Sequence, residues 1–155
     1  MYTKTTKPSW DTYFIHIANA VSKRSPDPKY KVGAVIVSSE HIILGTGYNG
    51  FPVGFDESTV DWFDRNTIRP HIIHAEKNAL DFTLQQDLNT ARMYITLSPC
   101  DKCIGLINDR GIKNIMYRDI YHKTIKLTKD YCFDMGIMLV QYKYIHEDYR
   151  FRRMS

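Results

Sequence analysis

"ARMYITLSPCDKCIGLINDRGIKNIMYR", residues 91–118, decides the fold class. Residues 91–97 form a strand-like apolar run. Ser98 then reads as an N-cap and Pro99 as the first residue of a helix over 99–110, where a missing N–H is harmless. Residues 112–118 read as a second strand. A strand, a helix and a strand in direct succession argue for parallel pairing through a right-handed crossover. Working outward, a helix over 123–135 and a strand over 137–142 repeat the unit. Upstream, a helix runs from the N-cap Ser9 to Lys23, with Tyr13, Phe14, Ile17, Ala20 and Val21 on its apolar face. Strand-like runs at 32–38 and 41–48, joined by "SE", predict a hairpin, and 72–87 reads as a further helix. The result is an α/β chain with a mixed five-stranded sheet. Between hairpin and helix lies a long irregular stretch, 49–70, of the kind usually kept for function. The tail 143–155 is left unassigned. No repeat or linker divides the chain, so residues 1–155 read as a single domain.

Composition narrows the classes of function. A formal net charge of +4 over 155 residues suits an anionic small molecule or a phosphate, and falls short of a one-sided basic nucleic-acid binder. Nucleic acid is therefore not the expected partner. The beginning of the sequence lacks an apolar leader and no apolar run is long enough to span a bilayer, so no membrane partner is expected. Three cysteines, Cys100, Cys103 and Cys132, are too few and too unevenly spaced for a secreted disulfide scaffold. A reducing, cytoplasmic location is the expectation.

Two short motifs carry the chemistry. In "HIIHAEKNAL" (71–80), His74 and Glu76 interrupt an apolar run two positions apart, about 200° apart on a regular helix. That spacing makes sense at a helix start, where both side chains can reach one point beyond the helix end. In "SPCDKC" (98–103), Cys100 and Cys103 fall at i and i+3 in a first helical turn. The positive end of a helix favours ionised thiols, and two thiolates together want a cation. A redox C-x-x-C pair would leave His74 and Glu76 idle. A structural zinc site would need a fourth protein ligand, and the remaining candidates (Cys132, His16, His41, His71, His122, His146) are scattered. Three ligands with one open position are the pattern of a catalytic zinc, with Glu76 placed to hydrogen-bond the water there.

The order H-A-E (74–76) then P-C-D-K-C (99–103) is the H-x-E…P-C-x-x-C signature of the zinc nucleobase deaminases. Within them the chain resembles the deoxycytidylate (dCMP) deaminase family over nearly its whole length. The shared stretches are "SWDTYF" (9–14), "KRSPDPKYKVGAVIV" (23–37), "GYNGFPVG" (47–54), "IHAEKNAL" (73–80), "MYITLSPCDKC" (93–103), "GIKNIMY" (111–117) and "YH" (121–122). G-Y-N-G-x-P is the most discriminating. The resemblance implies a cytidine-deaminase-like three-layer α/β/α sandwich and one Zn2+ per subunit, held by His74, Cys100 and Cys103. It implies Glu76 as catalytic proton shuttle and dCMP as substrate; dCTP or free deoxycytidine would be accepted as well if the pocket mouth is open enough, which the sequence does not report. It further implies a homo-oligomer, hexamer or dimer, and regulation by dCTP and dTTP, with Mg2+ accompanying the regulatory nucleotide. Two departures stand out. Lys77 follows the Glu where relatives often carry an apolar residue, and 54–70 holds no Cys/His cluster for a second zinc.

For substrate contacts the candidates are Asn49 for sugar or base, Arg24 and Ser25 for the phosphate with Lys29 and Lys31 competing, and Tyr121 and His122 after the fourth strand. Asn49 also reads as a plain Asn-Gly turn, and Tyr121 and His122 as packing and capping groups. Phe55, Trp62 and Phe63 would close over the base or pack subunits together. Two alternatives stay open. One is a polynucleotide deaminase using Arg150, Arg152 and Arg153; the other is a non-catalytic zinc-stabilised domain indifferent to Glu76.

Overall fold

Alternate residues along the central strands face opposite ways and both sets are apolar, so the sheet must be covered on both sides. The computed structural model describes residues 7–143. Its strands are β1 (Gly33–Val37), β2 (Ile43–Tyr48), β3 (Arg92–Leu97), β4 (Asn114–Asp119) and β5 (Met138–Gln141). Their order in the sheet is β2-β1-β3-β4-β5. β1 is antiparallel to β2 and β3, whereas β3–β4 and β4–β5 are parallel. This is the mixed five-stranded sheet expected from the sequence. The helices are α1 (Trp10–Ser22), α2 (Arg65–Ile68), α3 (Ala75–Phe82), α4 (Asp101–Asp109) and α5 (Ile125–Asp134).

Val35, Val37 and Tyr94 pack with Phe14, Ile15 and Ala18 of α1 on one face. Ala34, Ile36, Met93 and Ile95 turn to the other, against Ala79 of α3 and Ile104 and Ile107 of α4. Three layers result. Helix α1 begins as expected, with the Ser9 hydroxyl accepting from Thr12 N–H at 3.1 Å.

Helix α3 is shorter than the apolar pattern suggests. It starts at Ala75 because Ile73 is held as strand: Ile73 N–H donates to Gly50 O at 2.7 Å and Gly50 N–H to Ile73 O at 3.0 Å. It stops at Phe82 because the Arg110 guanidinium captures the carbonyls of Leu80, Thr83 and Gln85, and its Nε that of Gln86. The long stretch before α3 is not structureless. It holds a 3-10 turn at Glu57–Thr59, α2, and a second 3-10 turn at Arg69–His71. Asp56 and Asp64 cap the first two, each accepting from a backbone N–H.

Glycine sets how closely α3 approaches the sheet. A Cβ at Gly47 would lie 2.3 Å from Ala79 N and 2.5 Å from Ala75 O, both helix backbone. Gly47→Ala should therefore push α3 outward and cost about 1–3 kcal/mol in urea unfolding. Gly105, inside α4, has open space where its Cβ would be. Gly105→Ala should stabilise by about 0.5–1 kcal/mol, as in any exposed helix interior.

Candidate active site

Helices α3 and α4 begin at one place. His74 is the N-cap of α3 (φ −68°, ψ 153°) and Cys100 that of α4 (φ −82°, ψ 167°), and neither side chain caps its own helix. Both are thus free to turn toward each other. His74 Nδ1 lies 3.6 Å from Cys100 Sγ and 3.4 Å from Cys103 Sγ, in the first turn of α4. The three donor atoms lie within 4.8 Å of one another, and among the described residues no fourth ligand joins them. Tetrahedral zinc with Zn–S of about 2.3 Å and Zn–N of about 2.0–2.1 Å requires N···S edges of about 3.6 Å. The donor set and spacing fit that ion. Cys132, a former candidate for a fourth ligand, is buried in the apolar core, and His146 lies outside the described residues.

Ser98 does not cap α4 as the sequence suggested. The helix starts one residue after Cys100, and Ser98 instead accepts from Tyr121 N–H at 2.7 Å. That bond ties the end of β3 to the loop after β4. Thr128 of α5 donates to Pro99 O at 2.8 Å and pins the turn from below.

The charges in the cluster are unequal. The Cys103 hydrogen bond, with help from His74 and against burial, holds the Cys100 thiol far below its ordinary value. The Cys100 hydrogen bond and burial push Cys103 well up. The same Cys100 contact raises His74. Without a cation only one thiol ionises readily. Glu76, in the first turn of α3, is 4 % exposed, and burial lifts its carboxyl to about 7.

His74, Cys100 and Glu76 line a cavity of about 390 Å3, at the carboxyl ends of β3 and β4 where open α/β sheets receive ligands. Its walls include Asn49, Arg65, Arg69, Lys102, Tyr121 and Glu76.

Comparison with known proteins agrees with this geometry. The cytidine and deoxycytidylate deaminase zinc-binding region, as a family profile, matches residues 8–119. The chain belongs to that family. It is 38% identical over 125 residues to human deoxycytidylate deaminase, across 77% of this chain and 70% of the relative. With deoxycytidylate deaminase of Mycobacterium phage D29 it shares 37% over 123 residues, covering 72% of this chain and 95% of the relative. Its structure is similar to that of dCMP deaminase from cyanophage S-TIM5 in complex with dCMP and dUMP. The TM-score there is 0.72 at 27% identity, over 88% of this chain and 99% of that one. The fold is thus cytidine-deaminase-like.

The G-Y-N-G stretch, 47–50, has a structural part. Asn49 accepts from Val32 N–H at 2.8 Å and donates to Tyr30 O at 2.7 Å. Ser25 is buried behind it, donating to Asn49 O at 2.7 Å. Of the other substrate candidates, Tyr121 is on the cavity wall, whereas Arg24 and His122 are exposed and outside it. Phe51 stacks on Phe55 and tilts against Trp62, so these rings satisfy one another away from the wall, and Phe63 is 97% exposed. Lys77 is exposed and paired with Asp81. Arg150, Arg152 and Arg153 lie outside the described residues.

One ion pair in the wall had no sequence signal. Arg65 donates to both carboxylate oxygens of Asp27, at 3.0 and 2.8 Å, and fastens the long 49–70 stretch to the loop before β1. Its partners lie 38 residues apart in segments without periodicity. Burial pushes the Asp27 carboxyl up, but the Arg65 fork and the N–H groups of Tyr30 and Lys29 more than offset this, holding it below 3.8. A depressed folded value stabilises the fold above about pH 3.8, and the contribution is lost as pH falls through the folded value. Asp27→Asn should therefore cost about 2–3 kcal/mol in urea unfolding at neutral pH, and the gap from the parent should close in acid.

Proposed function

We propose that this protein is a zinc-dependent hydrolase that deaminates dCMP to dUMP and ammonia. The observation that carries the reading is Glu76: a buried carboxyl beside the His74/Cys100/Cys103 cluster and on the wall of one cavity. A purely structural zinc site has no use for such a group, and it needs a fourth protein ligand. The deoxycytidylate deaminase relatives and the dCMP-bound neighbour support the choice of substrate.

His74, as neutral imidazole, and the thiolates of Cys100 and Cys103 would hold the ion, the two sulfurs offsetting its 2+ charge. When bound, zinc would supply Lewis acidity that lowers the pKa of a water towards about 7. Glu76 takes a proton from the attacking water and delivers it to ring N3, which makes C4 electrophilic. The water oxygen adds at C4; Glu76 then takes the second proton from that oxygen and passes it to the exocyclic amine, and the C4–N bond breaks to release ammonia and leave the C4 carbonyl of dUMP. Burial suits Glu76 to this double role, since a carboxyl raised to about 7 both accepts and gives a proton near neutrality. The Asn49 side chain keeps one N–H beyond its Tyr30 bond, available to sugar or base, and Tyr121 joins it on the cavity wall from the loop after β4. Ser25 supports Asn49 from behind, and Arg24 and His122, outside the wall, carry no part of the reading. An open cavity mouth would extend the substrates to dCTP, and the family resemblance extends the reading to assembly as a homo-oligomer of six or two copies. It also extends to regulation by dCTP and dTTP with Mg2+, and to a cytoplasmic supply of dUMP for thymidylate synthesis.

Ultraviolet-monitored turnover of dCMP by zinc-loaded protein tests the reading. Glu76→Gln should keep one zinc per chain by atomic absorption while kcat falls about 10²–10⁴-fold. Near-parental turnover in that variant would overturn the assignment. Cys103→Ala should lose both metal and activity.

A further inference from the structure

Stability alone does not account for the Asp27–Arg65 pair. The Asp27 side chain is 2% exposed and that of Arg65 21%, and Arg65 Nε is buried with no hydrogen-bond partner among the described residues. An ion pair taken so far out of water contributes little net stability over an apolar pair of like volume. What distinguishes this one is where it leads. Asp27, Tyr30, Asn49, Arg65 and Tyr121 all stand in the wall of the cavity that holds Glu76. They come from four separate segments: the loop before β1, the residue after β2, the start of α2 and the loop after β4.

Tyr30 is the joint between them. Its N–H donates to Asp27 Oδ1 at 3.1 Å, beside that of Lys29 at 2.8 Å. The Arg65 guanidinium carbon lies 5.6 Å from the centre of the Tyr30 ring, within cation–π range. The Tyr30 carbonyl accepts from Asn49 Nδ2 at 2.7 Å. Its ring stands edge-on to that of Tyr121, with centres 6.5 Å apart and planes at 84°. Backbone and ring of one residue thus connect the ion pair to Asn49 and Tyr121. Arg65 has its charge matched by Asp27, so it is poorly suited to serve as a binding group itself.

We infer that Asp27 and Arg65 are positioning residues: acting through Tyr30, they fix Asn49 and Tyr121 in the wall and so set how tightly the nucleoside part of the ligand is held. The inference rests on the proposed deaminase reading and adds to it residues that shape the site without touching the substrate. Groups fixed before a ligand arrives need not be ordered by it, and that ordering otherwise subtracts from affinity. Both partners are needed. A fork on two oxygens sets the orientation of the carboxylate, and the same Oδ1 is thereby aimed at the N–H groups of Lys29 and Tyr30. Because the fork comes from α2, the long 49–70 stretch takes part in binding through it.

The test compares zinc-loaded parent, Arg65→Gln, Arg65→Lys, Tyr30→Leu and the double variant Arg65→Gln/Tyr30→Leu. Calorimetric Kd values for dUMP and for deoxyuridine are read, with zinc content by atomic absorption. Arg65→Gln should keep one zinc per chain and weaken dUMP and deoxyuridine alike, by about tenfold. Arg65→Lys, which keeps the charge and loses the fork, should weaken both as well. With Tyr30 already replaced, Arg65→Gln should add less than about twofold, because the two act through one ring. A variant that merely folds poorly lowers the number of sites in the titration and leaves Kd unchanged. Unchanged Kd values overturn the inference while dCMP turnover, and the reading of function, stand. Loss confined to dUMP would make Arg65 a phosphate contact and overturn it, as would an undiminished loss in the Tyr30→Leu background. A parent that turns over no dCMP, yet shows the same equal losses for dUMP and deoxyuridine, upholds the positioning role and removes the deaminase reading.

Discussion

Two helix starts held against each other are the constraint on which the rest of this structure depends. The His74 and Cys100 side chains can share one point only because each is an N-cap that leaves its own helix uncapped. Each helix therefore forgoes a contribution of about 1 kcal/mol that a Ser or Asp cap would give. The surrounding contacts hold both starts in place. The Gly50–Ile73 pair fixes the chain immediately before His74, and Gly47 lets α3 lie directly on β2. The Ser98–Tyr121 and Thr128–Pro99 bonds do the same for the chain before Cys100.

Electrostatics explain why this convergence suits a cation. Two thiols, an imidazole and a buried carboxyl crowd one corner of the cavity, and their charges cannot all be expressed together. One sulfur carries its charge readily while the other, with Glu76, is pushed toward its neutral form. A divalent ion relieves that conflict, because it stabilises both thiolates at once. Chemistry and stability thus draw on the same arrangement, and the long 49–70 stretch, pinned by Arg65 to Asp27, closes one side of it.

Much of this was legible in the sequence. The strand–helix alternation after residue 90 gave parallel pairing, and "VGAVIV" with "HIILGTGY" gave the antiparallel edge. The spacing of His74, Glu76, Cys100 and Cys103 pointed to one site before any coordinates. What escaped depended on contacts between segments distant in the chain. Ile72 and Ile73 read as helix because their apolarity cannot reveal that Gly50 holds Ile73 as strand. Residues 83–87 read as helix because nothing local announces the carbonyls taken by Arg110. Ser98 was a better cap than Cys100 by propensity, yet it is bonded to Tyr121. Asp27 and Arg65 lie in a turn and a loop, and pairing across 38 residues leaves no periodic trace.

Zinc K-edge absorption on the purified, metal-loaded protein tests the central claim most directly. The account predicts one zinc per chain with two sulfur neighbours at about 2.3 Å and two nitrogen or oxygen neighbours at about 2.0 Å. One of the light-atom neighbours should be exchangeable, shown by its loss or replacement when dUMP is added. A fully protein-ligated shell, insensitive to nucleotide, would contradict it and make the cluster a structural staple.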